Sequence, residues 1–186
     1  MFEVCYWSYF NNTILGQSCH CLFRKSKKLR HSLGRPSRSD FVQFEVDTNP
    51  PQYARFEHKY RLLPAPYEIN LYDASSLFAG KIHAVICRAW KHRVKGRDLY
   101  DYVFYLSRQI PVNLIHLRER LLQSRYITED VQCSLDEVKQ MLQEKFESID
   151  YQQAKSDVEP FIHDTSSLDL WCADFFKQIS ENLTSL

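Results

Sequence analysis

A group of basic residues stands directly ahead of two aspartates near the middle of this 186-residue chain. The stretch KIHAVICRAWKHRVKGRDLYD spans residues 81–101 and closes with Asp98 and Asp101. Its basic side chains are those of Lys81, Arg88, Lys91, His92, Arg93, Lys95 and Arg97. Polyphosphate binding needs several fixed positive charges, and phosphoryl transfer needs carboxylates that hold Mg²⁺ or accept a proton. The stretch is therefore a candidate site for phosphoryl chemistry.

Helical spacing predicts that these charges meet at a corner. Lys81 and Arg88 lie two helical turns apart, so they project within roughly 20° of each other. Asp98 and Asp101 lie one turn apart on one face of the next predicted helix. The implied structure is a helix, a tight basic turn interrupted by Gly96, and a second helix.

An ion-pair corner explains the same residues without any ligand. Arg93 or Arg97 would pair with Asp98 and Asp101 and so tie the two helices together. The residue types and their spacing leave both interpretations open, a phosphate site and a structural corner.

Short strands precede the helices in the sequence. Alternating polar and apolar residues predict a strand over 41–47 (FVQFEVD), and the following Asn49-Pro50-Pro51 ends it. The aromatic segment 2–10 and the YEINL segment 67–71 are also typical of strands.

Helical periodicity begins after the last of these strands. Asp73 or Ser75 is expected to cap the first helix, whose buried face is formed by Phe78, Ile82, Val85 and Ala89. The later helices are predicted over 97–108, 111–124, 128–148, 151–157 and 166–184. Strands followed by helices indicate an α+β fold, with a β-rich region over 1–72 and a helical region over 73–186.

Charge is distributed unevenly along the chain. Residues 1–128 hold 20 Lys and Arg against 10 Asp and Glu, whereas residues 129–186 hold 4 against 13. A basic front suggests a polyanionic partner such as a nucleotide or RNA. Alternatively, the two halves complement each other. The basic run 24–38 fits either a phosphodiester contact or a solvated loop.

Several other classes of protein find little support in the sequence. The chain has four glycines and neither G-x-G-x-x-G nor G-x-x-x-x-G-K. Cys19-His20-Cys21 is a single close cluster, and His83 with Cys87 lacks a nearby third ligand, so neither predicts a zinc site. No apolar run approaches the roughly 18 residues of a membrane helix. Six free thiols fit a reducing cytoplasm.

The spacing of the central charges resembles the two C-terminal motifs of the AbiEii/AbiGii nucleotidyltransferase toxin family. Those motifs are K-x₆-R and R-x-K-x-x-D-x-x-D. In this chain they are formed by Lys81 and Arg88, and by Arg93, Lys95, Asp98 and Asp101. The similar context covers about residues 40–108, with a weaker similarity continuing to DVEPF at 157–161.

The family belongs to the DNA polymerase β-like superfamily. The resemblance implies transfer of a nucleotidyl group from an NTP with Mg²⁺, commonly to tRNA, by the toxin of a toxin–antitoxin pair that protects against phage. The catalytic residues that it implies are Lys81, Asp98 and Asp101. The nucleotide-binding residues that it implies are Arg88, Arg93 and Lys95. Asp47, at the end of a strand, is the candidate metal ligand, with a turn-capping role as its alternative.

Two motifs of the family are missing from these 186 residues. There is no Gly-Gly for the GG[S/T] turn and no D-x-D pair, and Glu45-Val46-Asp47 fits the E-x-D pattern outside its usual context. We therefore expect a remnant of the nucleotidyltransferase mixed sheet over 1–72, followed by a helical bundle, and no transfer activity by this chain alone.

Two functional classes follow from the sequence. One is an AbiEii-like toxin, cytoplasmic and without a membrane segment, with NTP, tRNA and a cognate antitoxin as partners. The other is a non-catalytic module that binds nucleotide or RNA, or that docks an antitoxin through its acidic helical tail.

Overall fold

The structure is a computed structural model that describes residues 47, 49–90 and 93–186. Several sequence predictions lie outside the described residues: the strands at 2–10 and 41–46, the cluster Cys19-His20-Cys21, the basic run 24–38, Lys91 and His92. The described chain divides into two compact units. One contains Phe56–Tyr72, and the other combines Pro51–Arg55 with Asp73–Leu186.

The first unit is built on an antiparallel hairpin. Strand β1 spans Phe56–Arg61 and strand β2 spans Tyr67–Tyr72. Phe56 is opposite Tyr72, and their ring centroids are 4.9 Å apart. The predicted strand at 67–71 is thus confirmed. Strand β1 was not predicted, although FEHKYR alternates aromatic Phe56, His58 and Tyr60 with charged Glu57, Lys59 and Arg61, which is the pattern of a strand.

The second unit is helical. Its α-helices are α1 Ala74–Cys87, α2 Gly96–Ser107, α3 Leu114–Gln123, α4 Leu135–Glu147, α5 Tyr151–Val158 and α6 Ala173–Ser180. Short 3₁₀ turns follow α5 at Glu159–Phe161 and precede α6 at Ser166–Leu168. With the hairpin, these helices confirm the predicted α+β class.

Helix α1 begins where its sequence signals predicted. The Asp73 side chain accepts a hydrogen bond from the Ser76 backbone N–H at 2.8 Å, which satisfies a free donor of the first turn. Phe78, Ile82 and Val85 are fully buried, as their spacing indicates. Ala89 was wrongly included in this stripe: it lies beyond the end of the helix and is exposed.

Helices α3 and α4 begin later in the chain than predicted. Helix α3 does not begin at Pro111, because the next residue, Val112, is extended and donates its N–H to the Thr184 carbonyl at 2.8 Å. Helix α4 does not begin at 128 but after Ser134, which forms a capping box with Glu137.

The predicted helix over 166–184 is also wrong in its extent. The chain makes a single 3₁₀ turn at Ser166–Leu168 and becomes extended at Cys172, where φ is −151° and ψ is 171°. Helix α6 follows and ends at Ser180. Of the core face expected on one long helix, Leu168 and Trp171 are buried, whereas Phe175 and Ile179 are only partly buried and Phe176 takes the buried position on α6.

Aromatic side chains fill the centre of the helical unit. Phe78, Tyr102, Phe146 and Phe176 are fully buried and in mutual ring contact, with neighbouring centroids 5.2–5.8 Å apart. The hydroxyl of Tyr102 is 2.9 Å from Ser180 Oγ, so its polar end is satisfied.

Helices α2 and α5 approach each other most closely at Gly96. A Cβ atom on Gly96 would lie 1.9 Å from the Ala154 carbonyl oxygen and 2.7 Å from Val158 Cγ2. No side chain fits between those atoms and the α2 backbone. Glycine is therefore required here by the packing of the two helices.

Substitution of this glycine is expected to destabilise the fold. We predict that Gly96→Ala lowers the free energy of unfolding by about 1–3 kcal/mol, because the added methyl group overpacks the contact with α5. Gly80→Ala is the matched control: its Cβ would lie 3.4 Å from the flexible end of Arg120. That variant is expected to be as stable as the unmodified chain or more stable, because alanine favours helix. Urea unfolding of both variants tests this, and equal stabilities would contradict the close approach.

A buried histidine ties the segment Pro51–Arg55 to α3. His116 Nδ1 donates to the Gln52 carbonyl at 2.7 Å, and its Nε2 accepts from Arg120 Nε at 2.9 Å. This arrangement needs the neutral ring, since a proton on Nε2 would face another N–H. Burial lowers the pKa of His116, and the hydrogen bond to Gln52 opposes that shift.

This histidine makes stability depend on pH. The unfolded chain binds a proton at His116 near pH 6.5, whereas the folded chain resists it, so the free energy of unfolding falls as pH decreases below about 6.5. His83 acts in the same direction, because burial and nearby arginines lower its pKa to about 4. We expect a lower urea midpoint at pH 5.0 than at pH 7.5.

The histidine variant supplies the control for this dependence. His116→Asn keeps a donor for Gln52 but does not titrate in this range, so its stability is expected to change less between the two pH values. An unchanged pH dependence in the variant would contradict the assignment.

Candidate functional site

The central charges pair across α1 and α2. Lys81 Nζ lies 2.6 Å from Asp101 Oδ2, and the Arg88 guanidinium bonds to Asp98 Oδ2. Lys81 precedes Arg88 on α1, whereas its partner Asp101 follows Asp98 on α2. The two helices therefore run antiparallel. The predicted cationic stripe on α1 therefore faces the predicted acidic stripe on α2.

Burial governs the chemistry of these pairs. The side chain of Asp98 is 4% exposed, while those of Lys81 and Asp101 are 13% and 16% exposed. Burial lowers the pKa of Lys81, and Asp101 opposes that shift. Burial likewise raises the pKa of Asp101, and Lys81 opposes it. Each partner thus opposes the effect of burial, which disfavours the charge of the other.

The turn between α1 and α2 is held by the helices that follow. Lys145 of α4 donates to the Arg88 carbonyl at 2.5 Å, and its ammonium lies 4.6 Å from the centroid of the Trp90 ring. Gln153 of α5 accepts from the Val94 backbone N–H at 2.5 Å. The C-terminal helices therefore fix the turn that carries the cations.

A buried carboxylate of α5 gathers two arginines at the same corner. Asp157 Oδ1 accepts from Arg93 Nε at 2.7 Å and also from Arg93 Nη2. Arg97 Nε lies 3.6 Å from Asp157 Oδ2, and its guanidinium lies 5.2 Å from the Phe161 ring centroid. The side chain of Asp157 is 2% exposed, whereas that of Arg93 is 64% exposed.

This pairing corrects one expectation from the sequence. An ion-pair corner was foreseen, with Arg93 or Arg97 joined to Asp98 and Asp101; instead Asp98 pairs with Arg88, and the two later arginines meet Asp157. Sequence reasoning missed Asp157 because it is 56 residues beyond Asp101. Its one signal was the weak family similarity of the DVEPF segment.

Positive charge is in excess at one end of the corner. The charged side chains are Lys81, Arg88, Arg93, Lys95 and Arg97 against Asp98, Asp101 and Asp157. Two of these cations share Asp157, and Lys95 is exposed at the start of α2 without an ion pair to any described residue. The surplus among these described side chains therefore lies around Arg93 and Lys95.

Asp47, the candidate metal ligand, forms a turn in the other compact unit. Its Oδ1 accepts a hydrogen bond from the Asn49 backbone N–H at 3.0 Å, and its side chain is exposed. This is the turn-capping geometry that the sequence left open. A metal-binding role for Asp47 stays a hypothesis.

The His83 and Cys87 pair is packed into the helical unit. Cys87 Sγ lies 3.6 Å from Ser124 Oγ, and burial raises the pKa of the Cys87 thiol. Over residues 47, 49–90 and 93–186, no group of three or more His, Cys, Asp or Glu side chains is placed to hold a metal ion.

Basic side chains paired with buried carboxylates hold the described corner together. Comparison with known families is more specific. The chain belongs to the AbiEii family of nucleotidyl transferase toxins from type IV toxin–antitoxin systems, because the family model matches residues 17–178. Searches of curated proteins and of solved structures gave no match. Within the described part of the chain, no helix is long and apolar enough to cross a membrane.

The family implies an NTP substrate and a divalent metal. Mg²⁺ prefers carboxylate and water oxygens in octahedral geometry. At the described corner, Asp98, Asp101 and Asp157 each contact a lysine or arginine instead. These residues do not fit a metal centre, and the described corner is better suited to phosphate than to Mg²⁺.

The buried pair of Lys81 and Asp101 provides a test of the corner. We predict that Lys81→Met lowers the free energy of unfolding by about 2–4 kcal/mol, because it leaves Asp101 buried without its partner. The double variant Lys81→Met with Asp101→Leu is expected to recover much of that loss. Urea unfolding measures both.

An exposed pair serves as the control. Lys177 bonds to Glu147, whose side chain is 63% exposed, so Lys177→Met is expected to change stability by less than about 1 kcal/mol. Equal effects of the two lysine substitutions would contradict a special role for the buried pair.

Proposed function

We propose that the corner of α1 and α2 is the triphosphate-binding wall of an AbiEii-type nucleotidyl transferase. Arg88, Arg93 and Lys95 bind the phosphates of an NTP. Lys81, Asp98 and Asp101 are the proposed catalytic residues, in the roles that the family motifs assign to them. The supporting observation is the surplus of cations held in fixed positions on the exposed side of this corner.

The exposure of each cation suggests an order of contact. The Arg93 side chain is 64% exposed and that of Arg88 is 40% exposed, although each is already paired with a carboxylate. Lys95 is exposed at the first turn of α2. Lys81 is 13% exposed and paired with Asp101, so it reaches a phosphate only by loosening that pair. We therefore assign first contact to Arg93, Lys95 and Arg88.

We further propose that the natural acceptor is tRNA and that the reaction uses Mg²⁺. We also propose that the protein acts in the cytoplasm as a toxin of phage defence, and that an antitoxin restrains it. A net positive front of the chain suits a polyanionic acceptor. Asp47 is the proposed contribution of the first unit to metal binding. Since these 186 residues contain neither Gly-Gly nor D-x-D, we propose that they bind nucleotide but do not transfer it alone.

Nucleotide binding tests the first part of the proposal. Isothermal titration with ATP, GTP, CTP and UTP is expected to show binding of at least one nucleotide to the unmodified chain. Lys95→Ala is expected to weaken it by about fivefold to tenfold, because a direct cation–phosphate contact is lost. Arg108→Ala is the control, since Arg108 stands at the opposite end of α2, about 20 Å away along the helix axis. Equal loss in both variants would indicate non-specific attraction.

Transfer activity tests the second part. The purified chain, incubated with tRNA, Mg²⁺ and radioactive NTP, is expected to leave the tRNA unlabelled. Labelling that disappears in Lys81→Ala or Asp98→Ala would contradict the proposed inactivity and would place the catalytic residues at this corner.

The docking alternative makes a different prediction. A pure antitoxin-docking module would bind none of the four nucleotides. Its proposed surface is the acidic tail, in which several carboxylates hydrogen-bond to the local backbone: Glu137 and Asp150 cap helices, and Asp164 closes a turn with Ser166. These side chains nevertheless remain exposed, so the nucleotide titration is what separates the two functions.

A further inference from the structure

Asp157 occupies a position that the family motifs do not explain. It is on α5, far along the chain from the α1–α2 corner, and its side chain is almost fully buried at 2% exposure. A carboxylate is costly to bury unless it is paired and hydrogen-bonded. Its Oδ1 accepts hydrogen bonds from Arg93, whereas its Oδ2 lies 3.6 Å from Arg97 Nε without a hydrogen bond to any described residue.

The geometry at Arg93 leaves part of its guanidinium available. Nε and Nη2 both donate to Asp157 Oδ1, which holds the plane of the group against α5. Nη1 takes no part in that pair, and the side chain is 64% exposed. Arginine presents its donors in a rigid fork, so fixing one edge also fixes the direction of the other.

The surrounding backbone is held equally firmly. Gln153, one turn before Asp157 on α5, accepts from the Val94 N–H. Ala154 and Val158 of the same helix leave no room for a side chain at Gly96. The residues on both sides of Lys95 are thus anchored to α5.

We propose that Asp157 is a positioning residue for phosphate binding: it orients the Arg93 guanidinium so that its free edge faces the triphosphate of a bound nucleotide. The inference rests on the proposed function. It also makes α5 part of the nucleotide site, although Asp157 itself touches no nucleotide.

The direction in which Asp157→Asn changes the affinity for an anion separates positioning from simple electrostatics. Asp157→Asn removes a negative charge beneath the cations, so a purely coulombic effect would strengthen the binding of an anion. Loss of orientation would weaken it instead. The probe is inorganic tripolyphosphate, titrated calorimetrically into the full chain without metal, because it reports on the phosphates alone.

We expect Asp157→Asn to weaken tripolyphosphate binding about tenfold, because a well-oriented charge-assisted contact is lost. Glu159→Gln removes an exposed carboxylate two residues away and is expected to leave the affinity unchanged or slightly higher. In an Arg93→Ala background, Asp157→Asn is expected to have no further effect, since Asp157 acts through Arg93.

Other outcomes would overturn the inference. Unchanged or tighter binding by Asp157→Asn would do so, as would an equal further loss in the Arg93→Ala background. Those results leave the proposed function standing, provided that the unmodified chain binds tripolyphosphate. No binding by the unmodified chain would overturn the proposed function and this inference together.

A second measurement uses the unmodified chain, so that the test does not depend on whether Asp157→Asn folds. The Arg93 Nε–H signal, assigned by its loss in Arg93→Lys, is expected to exchange slowly with solvent both with and without tripolyphosphate. Persistent protection shows that Asp157 still holds Arg93 when phosphate is bound. Loss of protection on binding would show that Arg93 leaves Asp157, and would overturn the inference.

Discussion

The contact between α5 and the first turn of α2 is the constraint on which the candidate site depends. At Gly96 the backbones approach so closely that a Cβ would lie 1.9 Å from the Ala154 carbonyl oxygen. One turn further along α5, the buried Asp157 carboxylate takes both nearby arginines. The position of Arg93 is therefore set by steric fit and charge pairing at once, and a shift of α5 would displace the cations that the family motif provides.

Ion pairing inside the corner limits how its charges can act. A phosphate must compete with Asp101 for Lys81, and both side chains of that pair are largely withdrawn from water. Arg93 carries no such penalty, because its Nη1 edge is outside the contact with Asp157. The structure thus shows one of the two interpretations that the sequence allowed, an ion-paired junction of two helices, and the phosphate site stays a proposal.

Patterns that are local in the sequence predicted part of the secondary structure, whereas contacts between distant segments were not predicted. The capping aspartate and buried stripe of α1, the strand at 67–71 and the facing of Lys81 and Arg88 toward the aspartates follow from short-range spacing. Strand β1 was missed although aromatic and charged residues alternate along FEHKYR, and its pairing with β2 completes the hairpin. The α3 boundary depends on Val112 meeting Thr184, and the partner of Arg93 is on another helix. Such contacts join distant segments, and no local periodicity records them.

These contacts show where the acidic residues of the tail lie in the structure. The acidic tail does not simply neutralise the basic front, because Glu137, Asp150 and Asp164 are engaged in caps and turns of their own segments. Asp157 is different, since it crosses to the front and pairs with Arg93 of the family motif and with Arg97. Lys95 is exposed and has no ion pair to a described residue, so positive charge is left at the corner while its geometry is fixed. The C-terminal helices therefore belong to the candidate site itself, and removing them would leave Arg93 charged but without a defined orientation.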